Sequence, residues 1–467
     1  MKTYCWIVLL ALAGVVWGQP PDTMWTRIYG GPDIDRAYDI VATDDGGLLV
    51  AGEFPFDDGV SRLVMRLNAQ GDTVWTRSWG TILESSRAVI HTQDSNYALA
   101  TYRHAIKFND QGDTLWTHYI PIGYGEGKGI CQTADGHFLI VTQWPSPLVI
   151  QADIAVIALD GSGTELWARG IVPSLAIPQR IRPAGDGGCL VSSYYLADDG
   201  EDFNVRVDRL NANGDSMWTW IHVNIGDDFG YDAIETTDGG VAVTGSFART
   251  NGASKVFLAK LNNDGEYLWL QRYISYPDCG GRMVLQTTDG GYVIGAHAVA
   301  SGSGGDFYLI RTDHFGYVLW ENTYGTQYTE QSIAMCRTTD NGFAMCGWHL
   351  PPDQRYWDAC ITRIAPDPLP VEDDQIPELP LSRLLVRNYP NPFNATTTLS
   401  FSLSHTSSVL VTVFNVLGQA VYEADLGLLN AGEHRQVFDA RELPSGVYLA
   451  RVQAGERSQM RKMVLLR

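Results

Sequence analysis

One tryptophan-containing segment, exemplified by "GDTVWTRSWG" at residues 71–80, recurs seven times along the 467-residue chain. Consecutive tryptophans are separated by 50, 41, 51, 51, 51 and 51 residues, and a fixed period of this size is typical of solenoids and propellers. Because each indole can remove a large apolar area from water, we expect all seven to be structural and to hold an outer strand to its neighbour. They are Trp25, Trp75, Trp116, Trp167, Trp218, Trp269 and Trp320.

Two kinds of turn recur with the same period. An Asp and Gly turn precedes an alternating apolar strand, as in "TDDGGLLVAG" and "TTDGGYVIGA", and a turn such as "NAQG" precedes the tryptophan strand. Such turns between apolar runs indicate hairpins. Four strands in about 50 residues make one propeller blade. The sequence therefore predicts an all-β fold with a seven-bladed β-propeller over residues 19–364, in which the unit after Trp75 is ten residues short between its second and third strands.

The first and last repeats are incomplete in complementary ways. The first tryptophan strand, "TMWTRIYG", has no partner before it, and the last third strand, "WDACITRIAPD", has no tryptophan strand after it. We expect the N-terminal strand to become the outermost strand of the last blade. This arrangement removes two open edges that would otherwise invite aggregation.

The two ends of the chain differ from the repeats. Residues 1–18 have a basic start, an apolar run and small residues before a cut after Gly18, the layout of a secretory signal peptide. Residues 365–387 are proline-rich and acidic, as in an extended linker. Residues 388–467 contain closely spaced short strands, which predict a small β-sandwich. No segment of the mature chain approaches the roughly 20 apolar residues of a transmembrane helix.

The C-terminal segment contains the runs "NYPNPFNATTTLSFSL", "VFNVLGQAV" and "LPSGVYLARVQAG". Over residues 388–467 it closely resembles the C-terminal sorting domain of the type IX secretion system, which is related to the flagellar hook-cap immunoglobulin-like domain. One departure from the family pattern is Ala395, where proline is common. The resemblance implies an immunoglobulin-like sandwich that serves as an address. Its partner would be the bacterial secretion machinery, which would carry the protein through the periplasm to the medium or the cell surface.

The repeats themselves resemble two kinds of known propeller. The four-residue step from Gly to Trp in "GDTLW" is similar to the tryptophan-docking repeat of quinoprotein-type propellers. Over residues 20–364 the pattern resembles families of secreted bacterial proteins that mostly have no assigned activity. Quinoprotein enzymes typically bind their quinone with two adjacent cysteines and a calcium-binding acidic set, whereas this chain has no neighbouring cysteines. The resemblance therefore implies the scaffold and not the cofactor.

Charge and cysteine content narrow the range of partners. The formal net charge of -20 disfavours nucleic acid, because phosphate binding needs a basic surface. Six cysteines remain after export, without the CxxC pairs of zinc sites. Cys336 and Cys346 flank a turn, so the sequence leaves open whether they form a disulfide across a hairpin. We expect a monomer.

An acidic residue stands about ten positions ahead of the Asp-Gly turn in six of the seven units. If the loops that lead into the inner strands share one face, these carboxylates form a ring at the mouth of the central channel. Two interpretations remain open: acceptors for backbone N–H groups where blades meet, or a site for Ca²⁺ or a cationic ligand. No other cofactor is predicted. The six residues are Asp35, Glu84, Glu126, Asp228, Asp278 and Glu330.

The loops between second and third strands vary in length and are rich in aromatic and acidic residues. Variable loops on a rigid repeated scaffold are the usual place for specificity. Aromatic side chains there also simply cover blade edges, so both interpretations stay open. The candidates for stacking on a glycan or for contacting a surface protein are Trp144, Tyr194, Tyr195, Tyr356 and Trp357.

Two functions from different classes remain. The first is a non-catalytic binding or scaffold propeller, secreted or displayed on the cell surface. The second is a secreted hydrolase or lyase that acts on polysaccharide, which requires two carboxylates of the acidic ring about 5–10 Å apart as acid and base. The HExxH, GxSxG and GxGxxG motifs are absent. The sequence favours the first function.

Overall fold

The computed structural model describes two parts of the chain. The first is residues 19–367 except 32–33, 56–60, 80–84, 122–123, 144–153, 173–175, 197–201, 224–225, 249–252, 300–304, 327 and 351–355; the second is residues 385–465 except 390–392, 404–405, 417, 431 and 456. The expected signal peptide, 1–18, and most of the expected linker, 365–387, lie outside the described residues. Within these described ranges, no helix is long and apolar enough to span a membrane.

The chain divides into two compact units, Met1–Val371 and Glu372–Arg467. The strands of the first unit are β1 (Thr23–Tyr29), β2 (Arg36–Ala42), β3 (Leu48–Pro55), β4 (Ser61–Leu67), β5 (Thr73–Arg77), β6 (Ser86–His91), β7 (Tyr97–Thr101), β8 (His104–Phe108), β9 (Thr114–Tyr119), β10 (Glu126–Gln132), β11 (Phe138–Gln143), β12 (Ile154–Leu159), β13 (Glu165–Val172), β14 (Ala176–Pro183), β15 (Cys189–Leu196), β16 (Phe203–Leu210), β17 (Ser216–His222), β18 (Asp228–Glu235), β19 (Val241–Ala248), β20 (Ser254–Leu261), β21 (Tyr267–Tyr273), β22 (Asp278–Gln286), β23 (Tyr292–Val299), β24 (Gly305–Thr312), β25 (Val318–Tyr324), β26 (Thr329–Arg337), β27 (Phe343–Leu350) and β28 (Asp358–Ile364).

These strands form seven four-stranded antiparallel sheets, the blades of a propeller. Blades 1 to 6 each use four consecutive strands, from β2–β5 to β22–β25, and blade 7 consists of β26, β27, β28 and β1. The seven-bladed, all-β propeller predicted from the repeat is confirmed. In blade 2, β7 ends at Thr101 and β8 begins at His104, so the ten-residue shortfall lies between second and third strands, as expected.

The N-terminal strand closes the ring, as the sequence predicts. β1 pairs with β28, with Thr26 opposite Thr362 and their hydroxyl oxygens 3.0 Å apart. Just ahead of β1, the carbonyl of Pro21 accepts a hydrogen bond from the Tyr324 hydroxyl of blade 6 at 2.9 Å. The N-terminal segment is therefore tied to the last two blades, and the edge of β28 is paired.

In six blades a buried lysine or arginine of the third strand forms an ion pair with an aspartate in the turn after the first strand. In blade 1 the Thr43 hydroxyl and the Gly47 N–H donate to Asp45 at 2.7 and 3.1 Å, and Arg66 of the third strand adds a contact at 2.7 Å. Burial opposes ionisation of Asp45, but the hydrogen bonds from Thr43 and Arg66 outweigh it and lower its pKa to about 2. The equivalent pairs are Lys107–Asp94, Arg209–Asp186, Lys260–Asp238, Arg311–Asp289 and Arg363–Asp340.

The repeated tryptophans contact the following blade. In four repeats the indole N–H donates to a backbone carbonyl of the turn between third and fourth strands of that blade; the pairs are Trp25–Ala69, Trp75–Asp110, Trp116–Gly161 and Trp218–Asn263. The Trp320 N–H donates instead to the carboxylate of Asp367, which follows the third strand of blade 7. Trp167 and Trp269 lie against Gly214 and Gly316, where an added Cβ would come within 2.6 and 2.8 Å of the indole. All seven contacts join two blades, as a structural role requires.

The apolar cores lie between neighbouring blades. One core joins blades 1 and 2 through Leu49, Val89 and Phe108, and another joins blades 6, 7 and 1. The six cysteines outside the expected signal peptide are buried free thiols. Cys336 lies opposite Ala344 and Cys346 opposite Ala334, so the hairpin does not set the two thiols across from each other.

The second unit consists of two antiparallel sheets. Its strands are β29 (Leu385–Tyr389), β30 (Thr396–Leu403), β31 (Ser407–Phe414), β32 (Ala420–Leu429), β33 (Gly432–Asp439), β34 (Gly446–Ala454) and β35 (Arg457–Leu465), ordered β29-β30-β33 and β32-β31-β34-β35. Phe401 and Phe438 of the first sheet share a buried core with Val411 and Val452 of the second, as in a sandwich. Ala395 has a φ of 64°, which the proline ring cannot adopt.

Candidate functional site

The inner strand of every blade contains a β-bulge at the same position. In β2 the pairing with β3 shifts between Ala37 and Asp39, which leaves Tyr38 without an opposite residue. A bulge inserts one unpaired residue and re-aims its side chain. The seven bulged residues, one from each blade in order, are Tyr38, Arg87, Lys128, Gln179, Tyr231, Arg282 and Ile333.

All seven bulged residues line one cavity at the mouth of the central channel. It has a volume of about 290 Å³, and its described lining also includes Gln143, Ile177, Pro178, Arg180 and Trp348. The cavity lies where inner strands begin and second strands end, which is the face that carries the variable loops. We call it the upper cavity. Its size is near the lower end of the roughly 300–1,000 Å³ of small-molecule sites.

The described lining of the upper cavity is basic and aromatic. Four side chains are cationic, three are aromatic, and no described lining residue carries a carboxylate. This local charge is opposite to the net charge of -20 of the whole chain. The cations are Arg87, Lys128, Arg180 and Arg282, and the aromatic residues are Tyr38, Tyr231 and Trp348.

Two of the guanidinium groups lie on tyrosine rings from a neighbouring blade. The Cζ atom of Arg87 is 4.4 Å from the ring centre of Tyr38, and that of Arg282 is 4.1 Å from the ring centre of Tyr231. The Nε of Arg282 is shielded from solvent and has no hydrogen-bond partner among the described residues. Stacking on an aromatic face orients a guanidinium while leaving its in-plane N–H groups available to an acceptor.

An ion pair spans the channel beneath the bulged residues. Nη1 of Arg180, in blade 4, lies 3.2 Å from Oδ1 of Asp39, in blade 1, and Oδ2 of Asp39 accepts the Val89 N–H at 3.1 Å. Blades 1 and 4 are three apart in a ring of seven, so the contact crosses the channel. A lower cavity of about 320 Å³ follows, lined by the later parts of the inner strands together with Arg87, Lys128, Gln179 and Arg180, which also line the upper cavity.

Blade 5 repeats the arrangement of blade 1. Asp232, which follows the bulged Tyr231, is fully buried, receives two hydrogen bonds from Arg182 at 2.9 and 2.8 Å, and accepts the Val284 N–H at 3.2 Å. Asp39 and Asp232 therefore each bind a backbone N–H of the next blade and an arginine of blade 4. Sequence reasoning did not identify them.

Five of the six predicted acidic residues can be located, and Glu84 lies outside the described residues. None of the five lines the upper or the lower cavity. Asp35 accepts the Gly31 N–H at 2.9 Å, and Asp278 accepts the Ser254 N–H of the preceding blade at 2.7 Å. Burial opposes ionisation of Glu126, but the hydrogen bond from Lys128, at 2.9 Å, helps to hold its pKa below the usual range.

The other two acidic residues are deeply buried. Neither carboxylate oxygen of Asp228 has a hydrogen-bond partner among the described residues, and burial raises its pKa to about 7, partly opposed by Arg272. Glu330 lies 2.9 Å from Nδ1 of His349, and burial together with Glu330 raises the pKa of Asp306 to about 6. No group of three side chains able to hold a metal ion occurs in the described part of the chain.

The predicted loop aromatics fall into two groups, while Trp144 lies outside the described residues. Tyr194 has its ring centre 6.4 Å from that of the bulged Tyr231, and Trp357 lies 6.0 Å from Trp348. These two side chains back the lining of the upper cavity. Of the others, Tyr195 packs against a core between blades 3 and 4, and Tyr356 is 42% exposed.

The C-terminal unit matches a known family. Residues 387–466 match the family model described as a secretion system C-terminal sorting domain. This confirms the type IX sorting domain predicted from the sequence. The protein is therefore secreted or placed on the cell surface by way of the periplasm, with the secretion machinery as the partner of its sorting domain.

Solved structures similar to the chain include several propeller-like proteins. PorZ, a surface component of the type-IX secretion system of Porphyromonas gingivalis, is 13% identical, with 94% of this chain and 60% of that chain covered and a TM-score of 0.46. The chain thus spans less than two thirds of PorZ. A protein of unknown function from Bacteroides caccae is 14% identical, with 65% and 98% covered and a TM-score of 0.39.

The WD40 domain of Neurospora crassa Pan2 is 10% identical, with 74% of this chain and 99% of that domain covered and a TM-score of 0.46. Identities and TM-scores at this level carry no inference about ligand or activity. A comparison with curated proteins gives no match.

Proposed function

We propose that this secreted propeller is a non-catalytic binding protein and that its ligand occupies the upper cavity. The observation that carries the proposal is the ring of seven bulges. Each bulge interrupts a ladder and turns one side chain into the channel, and β-bulges are over-represented next to functional sites. Seven bulges at one level produce a single concave surface with convergent polar groups, which is the usual form of a ligand site.

The chemistry of the lining supports binding over polysaccharide cleavage. Acid–base cleavage of a glycosidic bond needs two carboxyl groups about 5–10 Å apart beside the substrate. The described lining of the upper cavity offers arginine, lysine, glutamine and aromatic side chains but no carboxylate. Asp306 and Glu330 are near each other, since both lie 2.7 Å from where a Cβ on Gly325 would be, but neither lines the cavity.

The surrounding aromatic residues support a ligand that presents a flat face. Tyr38, Tyr231 and Trp348 line the cavity, and Tyr194 and Trp357 pack behind the last two. Aromatic rings offer a large contact area at low entropic cost and stack on sugar rings or planar side chains. A glycan or a surface protein is therefore the ligand class that we propose.

The experiment is a binding array with the mature chain, residues 19–467, on glycans, cell-wall fragments and bacterial surface proteins, followed by product analysis of every bound component. We expect retention of a subset without products. Tyr38→Ala and Tyr231→Ala should each weaken that binding about tenfold or more, as for aromatic hot-spot residues.

Tyr119→Ala is the matched control, because Tyr119 is an exposed tyrosine, 51% accessible, on the outer strand of blade 2. It should leave binding unchanged. Release of cleavage products would favour the hydrolase or lyase. If folded Tyr38→Ala and Tyr231→Ala variants bind as well as the wild type, the ligand site lies outside the upper cavity.

A further inference from the structure

The upper cavity carries cationic charge that the described part of the chain does not neutralise. Lys128 contacts Glu126 at 2.9 Å and Arg180 contacts Asp39 at 3.2 Å, so two of the four cations have carboxylate partners. Arg87 and Arg282 instead contact the tyrosine faces, and no ion pair to either is found among the described residues. Arginine frequently binds a carboxylate in a bidentate manner, and the described part of the chain supplies no carboxylate to these two guanidinium groups.

The two unpaired arginines are separated within the ring. Arg87 belongs to blade 2 and Arg282 to blade 6, with blades 7 and 1 between them on one side and blades 3, 4 and 5 on the other. A single phosphate is usually held by several donors converging on one point. Each guanidinium group is planar and presents two parallel N–H donors, which suits a planar acceptor with a single charge. A carboxylate has this geometry.

Each of the two guanidinium groups lies beside an aromatic side chain. Tyr38 lies under Arg87, Tyr231 lies under Arg282, and Trp348 lines the same cavity. A ligand that fits this combination needs a carboxylate and a ring face with C–H groups in one small unit. Sugar acids have both features within the volume of about 290 Å³ that the cavity provides.

We infer that the upper cavity binds a sugar acid of the uronic type, whose carboxylate is held by Arg87 or Arg282 and whose ring packs against the aromatic side chains of the lining. This inference rests on the proposed binding function and specifies its ligand. The unit comes either from a free sugar acid or from the end of an acidic glycan.

The ion pair between Arg180 and Asp39 limits how the ligand enters. It crosses the channel directly beneath the bulged residues, and Arg180 lines both the upper and the lower cavity. A polymer that threads the channel would have to break this pair. The site therefore accepts a terminal acidic unit from the upper face and excludes an internal unit of a continuous chain.

The test is calorimetry with the mature chain and three probes that share one ring: glucuronate, glucose and glucose 6-phosphate. Acidic oligosaccharides with the uronate at the end or inside the chain form a second series. We expect glucuronate and the terminally acidic oligosaccharides to bind and glucose not to bind. Affinity should fall with added salt, because the recognition is charge-assisted. If only glucuronate binds, the natural ligand is a free sugar acid. If the oligosaccharides with a terminal uronate bind more tightly than glucuronate, the natural ligand is the end of an acidic glycan.

The double variant Arg87→Met/Arg282→Met should weaken binding about 10- to 100-fold, the effect of losing a hydrogen bond to a charged group, and one of the two single variants should account for that loss. Replacing that arginine by Lys keeps the charge without the planar guanidinium and should still give weaker binding than the native chain. Arg169→Met is the matched control, because it removes an exposed arginine from the outer strand of blade 3. Melting temperatures identify any variant that fails to fold.

The outcomes are distinct. Three results would each overturn the sugar-acid assignment. Glucose could bind as tightly as glucuronate, glucose 6-phosphate could bind more tightly than glucuronate, or no acidic probe could bind at all. If arrayed neutral glycans or proteins then still bind in a manner that depends on Tyr38 and Tyr231, the proposed binding function stands without it. Preference for internally acidic oligosaccharides would overturn the role of the ion pair as the closed end of the site.

Discussion

Arg180 of blade 4 and Asp39 of blade 1 meet across the central channel, with 3.2 Å between Nη1 and Oδ1. Their side chains are 16% and 5% exposed, and Asp39 also binds the Val89 N–H of blade 2. Residues 141 positions apart are thus joined at the axis of the propeller. The contact joins opposite sides of the ring from inside, at the base of the upper cavity.

Breaking this pair from one side should cost more than removing it altogether. Arg180→Met leaves a nearly buried carboxylate with one backbone donor, and loss of a partner from a buried pair costs about 3–5 kcal/mol. The double variant Asp39→Asn/Arg180→Met leaves no unpaired charge and should be more stable than Arg180→Met alone. Denaturant unfolding of the wild type, both single variants and the double variant measures the coupling. Additive effects would contradict a direct interaction.

Deleting residues 19–31 should destabilise the whole propeller, because β1 is the outermost strand of blade 7 and its removal exposes the edge of β28. We expect a lower melting temperature and self-association in size-exclusion chromatography. Deletion of residues 388–467 is the control, since those residues belong to the other compact unit. An unchanged melting temperature and a monomeric state after the N-terminal deletion would speak against closure of the ring by β1.

Deleting residues 388–467 should change location without unfolding the propeller. In a host with the secretion system, the full chain should reach the medium or the cell surface, and the truncated chain should stay in the periplasm, because residues 387–466 match the sorting domain. Fractionation followed by immunoblotting measures both. Normal amounts of truncated protein outside the cells would exclude a sorting role.

The buried Asp228 should make stability depend on pH between about 4 and about 7. Burial raises its pKa to about 7, so in this window the folded state holds a proton that the unfolded state releases, and stability falls as the pH rises. Asp228→Asn should remove this slope. The variant should be more stable than the wild type at pH 8 by about 2–4 kcal/mol and equal to it below about pH 4.

Asp264→Asn, at an exposed turn position, is the control for that measurement. Its pH profile of unfolding free energy should parallel the wild-type profile. If the Asp228→Asn profile is parallel as well, then Asp228 is not the group that titrates in this range.

Millimolar Ca²⁺ should leave the melting temperature of residues 19–467 unchanged. Asp35 and Asp278 already accept backbone N–H groups, and Glu330 is engaged by His349. A bound cation would stabilise the folded state by mass action. A Ca²⁺-dependent rise of several degrees that Asp278→Asn and Glu330→Gln together abolish would show that the acidic residues form a cation site.

The repeat alone determined the propeller, the number of its blades and the partner of its first strand. Asp-Gly turns are local features, because a turn residue adopts its conformation through hydrogen bonds within a few residues. The tryptophan strands could be recognised because they recur at a fixed distance from these turns. Thr43, Asp45 and Gly47 form such a unit within five positions. The sorting domain could also be identified from the sequence, because each of its motifs is a continuous segment of the chain.

The ligand site was decided by tertiary structure. The seven bulged residues include tyrosine, arginine, lysine, glutamine and isoleucine, so no shared residue type marks their common position. Two recurring pairs, Tyr38–Asp39 and Tyr231–Asp232, could have indicated the position, because the aspartate of each pair stands six positions ahead of a turn aspartate. Even so, a bulge depends on how two strands pair, and the contact of Arg180 with Asp39 exists only once seven blades have closed into a ring. The sequence specified each blade through local hydrogen bonds, whereas ring closure decided which side chains converge on the axis.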